Sequence, residues 1–256
     1  MKKIIVTLSL VGLVVLPAAA EGTNGSPWTP SVTFRTTVSE RYPSFGSGSI
    51  LYDKWVIQSD LCTSFRNGVY IDLWNSTPLT TGWNKNLGSE QDLGIGWNGN
   101  VKGISMSLGS TYFDEPDLGT IGKGDTLYTH LTLSKQFYCD SRWKSFGVNA
   151  EFENYTTMPE SGFQGGNLYS VGASKSLSFF KDRVSANTSL SLVYDDGGFG
   201  FDSGMLLRGY AGLDVKISKR VCLTPIQVLY YAPLTVRDSR ELIGVLSASL
   251  SIKIWN

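Results

Sequence analysis

Three segments of the chain decide its fold: Gly68-Val-Tyr-Ile-Asp-Leu-Trp74, Ser89-Glu-Gln-Asp-Leu-Gly-Ile-Gly-Trp97 and Lys102-Gly-Ile-Ser-Met-Ser-Leu-Gly-Ser-Thr-Tyr-Phe113. Alternate residues in each segment are apolar, which predicts a β-strand with one apolar face. A long polar loop follows the first segment, whereas only the tetrad Asn98-Gly-Asn-Val101 separates the second from the third. A fourth segment, 126–136, follows another long loop. Alternating polarity combined with alternately short and long connections is typical of a membrane β-barrel.

The same pattern extends through the rest of the chain and predicts twelve strands. They are 31–39, 51–64, 69–76, 89–97, 102–113, 126–136, 144–155, 168–179, 184–194, 205–218, 221–231 and 241–254. The predicted short connections are 65–68, 99–101, 139–143, 180–183 and 219–220, and all the others are longer. We therefore expect an all-β, antiparallel, up-and-down transmembrane β-barrel of about twelve strands, formed by residues 21–256. A soluble β-sandwich is the alternative, but its loop lengths need not alternate with strand direction.

The first twenty residues have the features of a secretory signal. Lys2 and Lys3 precede the apolar run 4–15, and Ala18-Ala-Ala20 offers a cleavage site of small residues. We predict a signal peptide at 1–20, because the apolar run is short for a transmembrane anchor. The three cysteines are predicted to be small apolar fillers, with a Cys62–Cys139 bridge as the alternative.

Composition excludes several classes of function. The chain has 256 residues, a formal net charge of +0 and only 17% charged residues. This balance argues against a nucleic-acid partner. No spacing of cysteine and histidine suggests a metal site or another cofactor. The acidic residues of two loops are expected to be solvated, with Ca²⁺ binding between the loops as the alternative; they are Asp114, Glu115, Asp117, Asp195, Asp196 and Asp202.

Seven charged residues of the predicted strands, and His130, fall on the parity opposite to the apolar one. A lipid-facing surface must be apolar, so these side chains are predicted to line the lumen. They are Arg35, Asp72, His130, Glu151, Glu153, Arg208, Asp214 and Lys216. A lumen lining with both charge signs suits small polar solutes. Alternatively, the opposite charges pair with each other and block the lumen. Twelve strands predict a narrow or partly blocked channel.

Aromatic residues near the strand ends predict two girdles at the membrane interfaces. One comprises Phe65, Trp97, Phe137, Tyr138, Trp143, Phe179 and Phe180, and the other comprises Tyr52, Tyr112, Phe113, Tyr155, Tyr194, Tyr230 and Tyr231. The penultimate residue, Trp255, falls with Lys253 on the lumen parity by simple alternation. A local bulge that returns it to the lipid face, or an altered assembly signal, would account for this position.

Residues 68–116 resemble the family of outer-membrane porins called TorF. The similarity rests on Gly68-Val-Tyr…Trp74-Asn-Ser, on Ser89-Glu-Gln-Asp-Leu-Gly-Ile-Gly96 and on Gly109-Ser-Thr-Tyr-Phe-Asp-Glu-Pro116. The C-terminal half adds only general barrel character. The resemblance implies a porin-like outer-membrane protein and does not indicate a substrate.

We expect a passive channel for small polar solutes in the bacterial outer membrane, not an enzyme. Its expected partners are outer-membrane lipid, the barrel assembly machinery and the solute. One alternative is a barrel enzyme acting on lipid through His130. Ser134 lies roughly 13 Å from it along the same strand, so a serine from an adjacent strand would be required. A structural or adhesive barrel with a blocked lumen is the other alternative.

Overall fold

The computed structural model describes residues 26–43, 48, 50–82, 88–114, 125–138, 145–158, 164–198, 202–235 and 241–255. Within these ranges no helix is long and apolar enough to cross a membrane. The predicted signal peptide, Cys139 and Trp143 lie outside them. Cys62 and Cys222 are free thiols.

Fourteen strands are present in the described ranges. They are β1 (Pro30–Ser39), β2 (Tyr42–Pro43), β3 (Ile50–Tyr52), β4 (Val56–Phe65), β5 (Val69–Pro78), β6 (Glu90–Val101), β7 (Ile104–Asp114), β8 (Thr126–Tyr138), β9 (Ser145–Thr157), β10 (Gly166–Phe179), β11 (Val184–Asp195), β12 (Gly204–Lys216), β13 (Val221–Pro233) and β14 (Ile243–Trp255). Twelve of them close into one antiparallel barrel, in which β1 pairs with β14 and with β4. The twelve-stranded barrel predicted from the sequence is therefore confirmed. Strands β2 and β3 form a separate small sheet.

The barrel has two unlike ends. We call the end with the connections 66–68, 102–103, 139–144, 180–183 and 217–220 the tight-turn end. The opposite end, with the connections 40–55, 79–89, 115–125, 158–165, 196–203 and 234–242, is the long-loop end. Because the strands alternate in direction, connections of one kind collect at one end.

One predicted turn is wrong. β6 continues through Val101, and Lys102 and Gly103 reverse the chain with φ values of 52° and 79°. The predicted turn residue Gly99 instead makes room for an aromatic ring, because a Cβ atom on it would lie 2.0 Å from the Trp97 indole. The Asn67–Gly68 pair does form the predicted hairpin turn, and Gly68 has a φ of 92°.

The outward side chains of the barrel are largely apolar. Exposed large hydrophobic residues include Leu61, Ile71, Leu73, Leu93, Ile95, Leu108, Leu131, Leu133, Val148, Phe152, Val171, Leu190, Ile226, Val228 and Leu246. They occur on ten of the twelve barrel strands, at positions that alternate with inward residues. Such a continuous exposed surface would be unfavourable in water and suits a hydrocarbon environment.

The inward side chains differ between the two halves of the barrel. Next to the long-loop end they are large and buried, and they include Val56, Trp74, Phe113, Tyr128, Tyr155, Leu168, Val193, Leu206, Leu229, Tyr231, Ile243 and Val245. We call this set the interior core. Towards the tight-turn end many inward residues are polar and partly exposed, as in Ser107, Asn149 and Ser189. The barrel is therefore packed in one half and open to solvent in the other.

The interior core corrects the predicted aromatic girdle at the long-loop end. Phe113, Tyr155 and Tyr231 are at most 2% exposed and belong to the core, not to the lipid interface. Parity decides this, because each of the three shares its face with inward residues of the same strand. Tyr194 and Tyr230 are exposed, as a girdle requires.

The small β2–β3 sheet closes over the packed half. Tyr42 is fully buried and Leu51 is 6% exposed, and both belong to the interior core. The Tyr42 ring lies 5.8 Å from the Trp74 ring, and the Tyr42 hydroxyl donates a 2.7 Å hydrogen bond to Glu90 Oε2. The sequence predicted a loop at 40–50 and a continuous strand from 51. The structure instead brings part of this connection into the barrel mouth.

A bulge at the C-terminus accounts for the position of Trp255. In the pairing of β1 with β14, Val32 lies opposite Trp255 but Thr33 lies opposite Lys253, so Ile254 is an extra residue. The bulge turns Trp255 onto the face of Val32, and its side chain is 61% exposed. The terminal aromatic residue therefore belongs to the outer surface.

Candidate functional site

A buried ionic group inside the barrel joins Arg208 on β12 to two carboxylates on β9. Arg208 Nη2 lies 3.0 Å from Glu151 Oε2, and Nη1 lies 3.5 Å from Glu153 Oε1. The side chains of all three are at most 2% exposed. Strands β10 and β11 separate β9 from β12, so this ion pair crosses the interior instead of following the wall.

Neutral groups complete the bonding of both carboxylates. The Tyr155 hydroxyl donates to Glu153 Oε2 at 2.6 Å, and Thr132 Oγ1 donates to Glu151 Oε1 at 3.2 Å. A buried charge is tolerated when it is paired and hydrogen-bonded, and this network provides both. We call these five residues the Arg208 network. We call the interior core together with the Arg208 network the plug.

Arg35 occupies the opposite side of the interior. Its register partner on β4 is Asp60, which in turn pairs with Trp74 on β5. Asp72 lies two residues from Trp74 on β5, on the same inward face. Arg35 and Asp60, together with Gln58, Trp74 and Tyr210, contribute to the lining of a cavity of about 40 Å³. One water molecule needs on the order of 10–15 Å³, so the cavity accommodates a few.

Polar atoms face this cavity without a protein partner. Arg35 Nη1, Gln58 Nε2 and Asp60 Oδ1 are buried and make no hydrogen bond within the described part of the chain. Buried polar atoms are normally bonded to protein or to water. The cavity is therefore a small gap beside the interior core with several polar atoms in its lining, and it runs along the inner face of β1 past Thr37 and Ser39.

The remaining predicted lining residues do not join either group. Asp214 accepts hydrogen bonds from Asn187 Nδ2 at 2.7 Å and from Thr224 Oγ1 at 2.6 Å. Lys216 is exposed at the tight-turn end of β12. Both belong to the polar, open half of the interior.

His130 lies between the two halves and has a serine neighbour. Ser107 Oγ, on the adjacent strand β7, is 3.2 Å from His130 Nε2, and the Tyr128 ring stacks on the imidazole at 5.4 Å. His130 Nδ1 is buried with no hydrogen-bond partner among the described residues. A hydrolytic Ser–His pair normally has a third group that orients the histidine, so the arrangement is incomplete as a catalytic site.

Two of the acidic loop residues, Asp195 and Asp196, are engaged in loop hydrogen bonds. Asp195 Oδ1 accepts from the backbone N–H groups of Gly197 and Gly198, both at 3.0 Å. Asp196 accepts from the backbone and the side chain of Asn167. Glu115 and Asp117 lie outside the described residues.

Sequence reasoning missed the residues that fill the lumen. The signal was available: Trp74, Tyr155 and Leu206 have the same parity as the inward charged residues of their strands, and Tyr128 has the parity of His130. Large apolar side chains at lumen positions indicate a packed interior, not a wet one. Tyr42, within a predicted loop, and Leu51, at the start of a predicted strand, add to the packed interior.

No protein-family model matches this sequence, and no curated protein matches it. Solved structures do resemble the fold. The KdgM porin aligns with a TM-score of 0.52 and 9% sequence identity over 87% of this chain and 98% of that one. Its complex with disordered oligogalacturonate aligns equally well. An outer-membrane channel from Pseudomonas putida F1 aligns with a TM-score of 0.50 and 8% identity, over 91% of this chain and 100% of that one. This chain therefore has the fold of outer-membrane channels.

Proposed function

We propose that this protein is a porin-like channel of the bacterial outer membrane that passes small polar solutes, and that it belongs to the TorF family. The observation that carries the proposal is a cavity with polar lining atoms inside a barrel with an apolar outer surface. Serine, threonine and asparagine side chains line the interior towards the tight-turn end. The cavity beside Arg35 and Asp60 extends along β1 as far as Ser39, and we propose it as the route past the interior core.

The narrowness of the passage limits the solute. Because the Arg208 network and the interior core occupy most of the loop half, the proposed path is the cavity that Arg35, Thr37, Gln58 and Asp60 help to line. Its lining presents both charge signs, hydroxyl groups and an amide. Such a path suits ions and small hydroxylated or amide solutes, and it excludes large ones. Outer-membrane lipid and the barrel assembly machinery are the other partners that we propose.

Single-channel recording in planar bilayers tests the proposal. We expect small conductance steps from the purified protein. Thr37→Trp should abolish the steps because the indole fills the cavity, whereas Thr33→Trp, on the same face of the same strand but in the wide vestibule, should leave them unchanged. Both variants must keep the heat-dependent gel shift of a folded barrel. Folded wild-type protein without steps would contradict the channel and favour a structural barrel with a blocked lumen.

The short distance between Ser107 and His130 favours one second candidate function, an enzyme that hydrolyses lipid. We do not expect this activity: purified protein in phospholipid micelles should release no fatty acid above background. Both residues face the interior, away from the surrounding lipid, and the imidazole Nδ1 has no hydrogen-bond partner within the described ranges to orient it. Release that His130→Ala and Ser107→Ala both abolish, and that Ser134→Ala retains, would establish the enzyme.

A further inference from the structure

The tight-turn end carries a ring of positive charge. The exposed cations of its four described turns are Arg66, Lys102, Lys181, Arg183, Lys219 and Arg220. Asp182 is the one acidic residue of those turns. We call these six residues the basic ring. At the long-loop end the described cations are Arg41 and Lys54, and Arg41 is already paired with Asp53 at 3.0 Å.

Apolar side chains place the basic ring close to hydrocarbon. Phe180, which precedes Lys181, is 78% exposed, and Ile217, two residues before Lys219, is 62% exposed. Phe179 and Trp255 are also exposed, near the same end of the barrel. Aromatic and aliphatic groups beside cations are the pattern of a headgroup layer, where rings meet the acyl boundary and cations meet phosphate.

A lysine on the outer surface of the barrel indicates the same position for the headgroup layer. Lys135 points outward on β8, and its Nζ atom lies 5.5 Å from the centre of the Phe137 ring. An outward lysine within a lipid-facing strand extends its ammonium group to the interface while its stem covers apolar surface. The headgroup layer therefore lies just beyond Lys135, at the height of the turns.

From this arrangement, and resting on the proposed membrane location, we propose that the basic ring binds the anionic headgroups of phospholipids in the leaflet that surrounds the tight-turn end. The basic ring attracts headgroups with a net negative charge more strongly than zwitterionic headgroups, whose phosphate is balanced by a cation. Among the described residues, the connections of the long-loop end contain two cations, Arg41 and Lys54, against the six of the basic ring.

Electron spin resonance with spin-labelled lipids tests the proposal. The folded protein is reconstituted in phosphatidylcholine bilayers with a trace of spin-labelled phosphatidylglycerol or spin-labelled phosphatidylcholine. We expect the anionic probe to be enriched about twofold over the zwitterionic one at the protein surface, and the enrichment to fall with added salt. Equal association of the two probes would overturn the proposal.

Two matched variants locate the effect. The quadruple variant Lys181→Gln, Arg183→Gln, Lys219→Gln, Arg220→Gln should lower the enrichment to about one, since it removes most of the attraction to phosphate. The variant Arg41→Gln, Lys54→Gln at the other end should leave it unchanged. Enrichment that survives in the quadruple variant would refute the basic ring as its source. The salt dependence of the wild-type protein provides a measurement that does not depend on the folding of a variant.

The absence of a motionally restricted component with either probe would refute the membrane location itself. Loss of selectivity alone leaves the channel proposal intact.

Discussion

Arg208→Ala is expected to lower the free energy of unfolding by about 3–5 kcal/mol, because the substitution leaves Glu151 and Glu153 buried without their cation. The side chains of both carboxylates are at most 2% exposed, and the hydrogen bonds from Thr132 and Tyr155 do not neutralise them. The measurement is urea-induced unfolding from phospholipid vesicles, followed by tryptophan fluorescence.

Two controls separate charge burial from lost packing. Arg220→Ala, at an exposed turn position, should change stability by less than about 0.5 kcal/mol. The triple variant Arg208→Met, Glu151→Gln, Glu153→Gln should recover most of the loss, since removing all partners of a buried ion pair is often nearly neutral. A loss below about 1 kcal/mol for Arg208→Ala would show that water reaches the carboxylates.

Replacing residues 42–52 by a short Gly–Ser linker is expected to raise the single-channel conductance several-fold. The β2–β3 sheet inserts Tyr42 and Leu51 into the interior core. It is not needed to connect the wall, because Ser39 at the end of β1 already pairs with Val56 at the start of β4. Planar-bilayer recording measures the change.

Point variants give the same test with less disturbance. Tyr42→Ser combined with Leu51→Ser removes both anchors and should give an intermediate conductance. Lys54→Ser, at an exposed position of the same connection, should match the wild-type protein. An unchanged conductance after the deletion would mean that the barrel side chains alone set the constriction.

The sequence was sufficient for the wall of this protein. Lipid on one side and polar groups on the other impose a strict two-residue period, which defined the twelve strands and the inward parity of Glu151 and Arg208. Turn positions were less secure. Gly99 was assigned to a turn by its residue type, whereas its true role is to clear space for the Trp97 ring.

The interior was much less predictable. A two-residue period tells which way a side chain points but not which residue it meets across the lumen. The contact of Arg208 with β9 depends on barrel closure, since the two strands are not neighbours. The β2–β3 sheet escaped prediction because its strands have only two and three residues. Such short pieces carry no measurable periodicity.

The Arg208 network has a mechanical consequence. Hydrogen bonds between neighbouring strands hold a cylinder closed but resist flattening poorly, because every bond lies within the wall. A link from β12 to β9 is a chord of the cylinder, and squeezing the cross-section out of round would stretch or crush it. The protein should therefore keep a circular outline under the lateral pressure of a bilayer on the side where that chord lies.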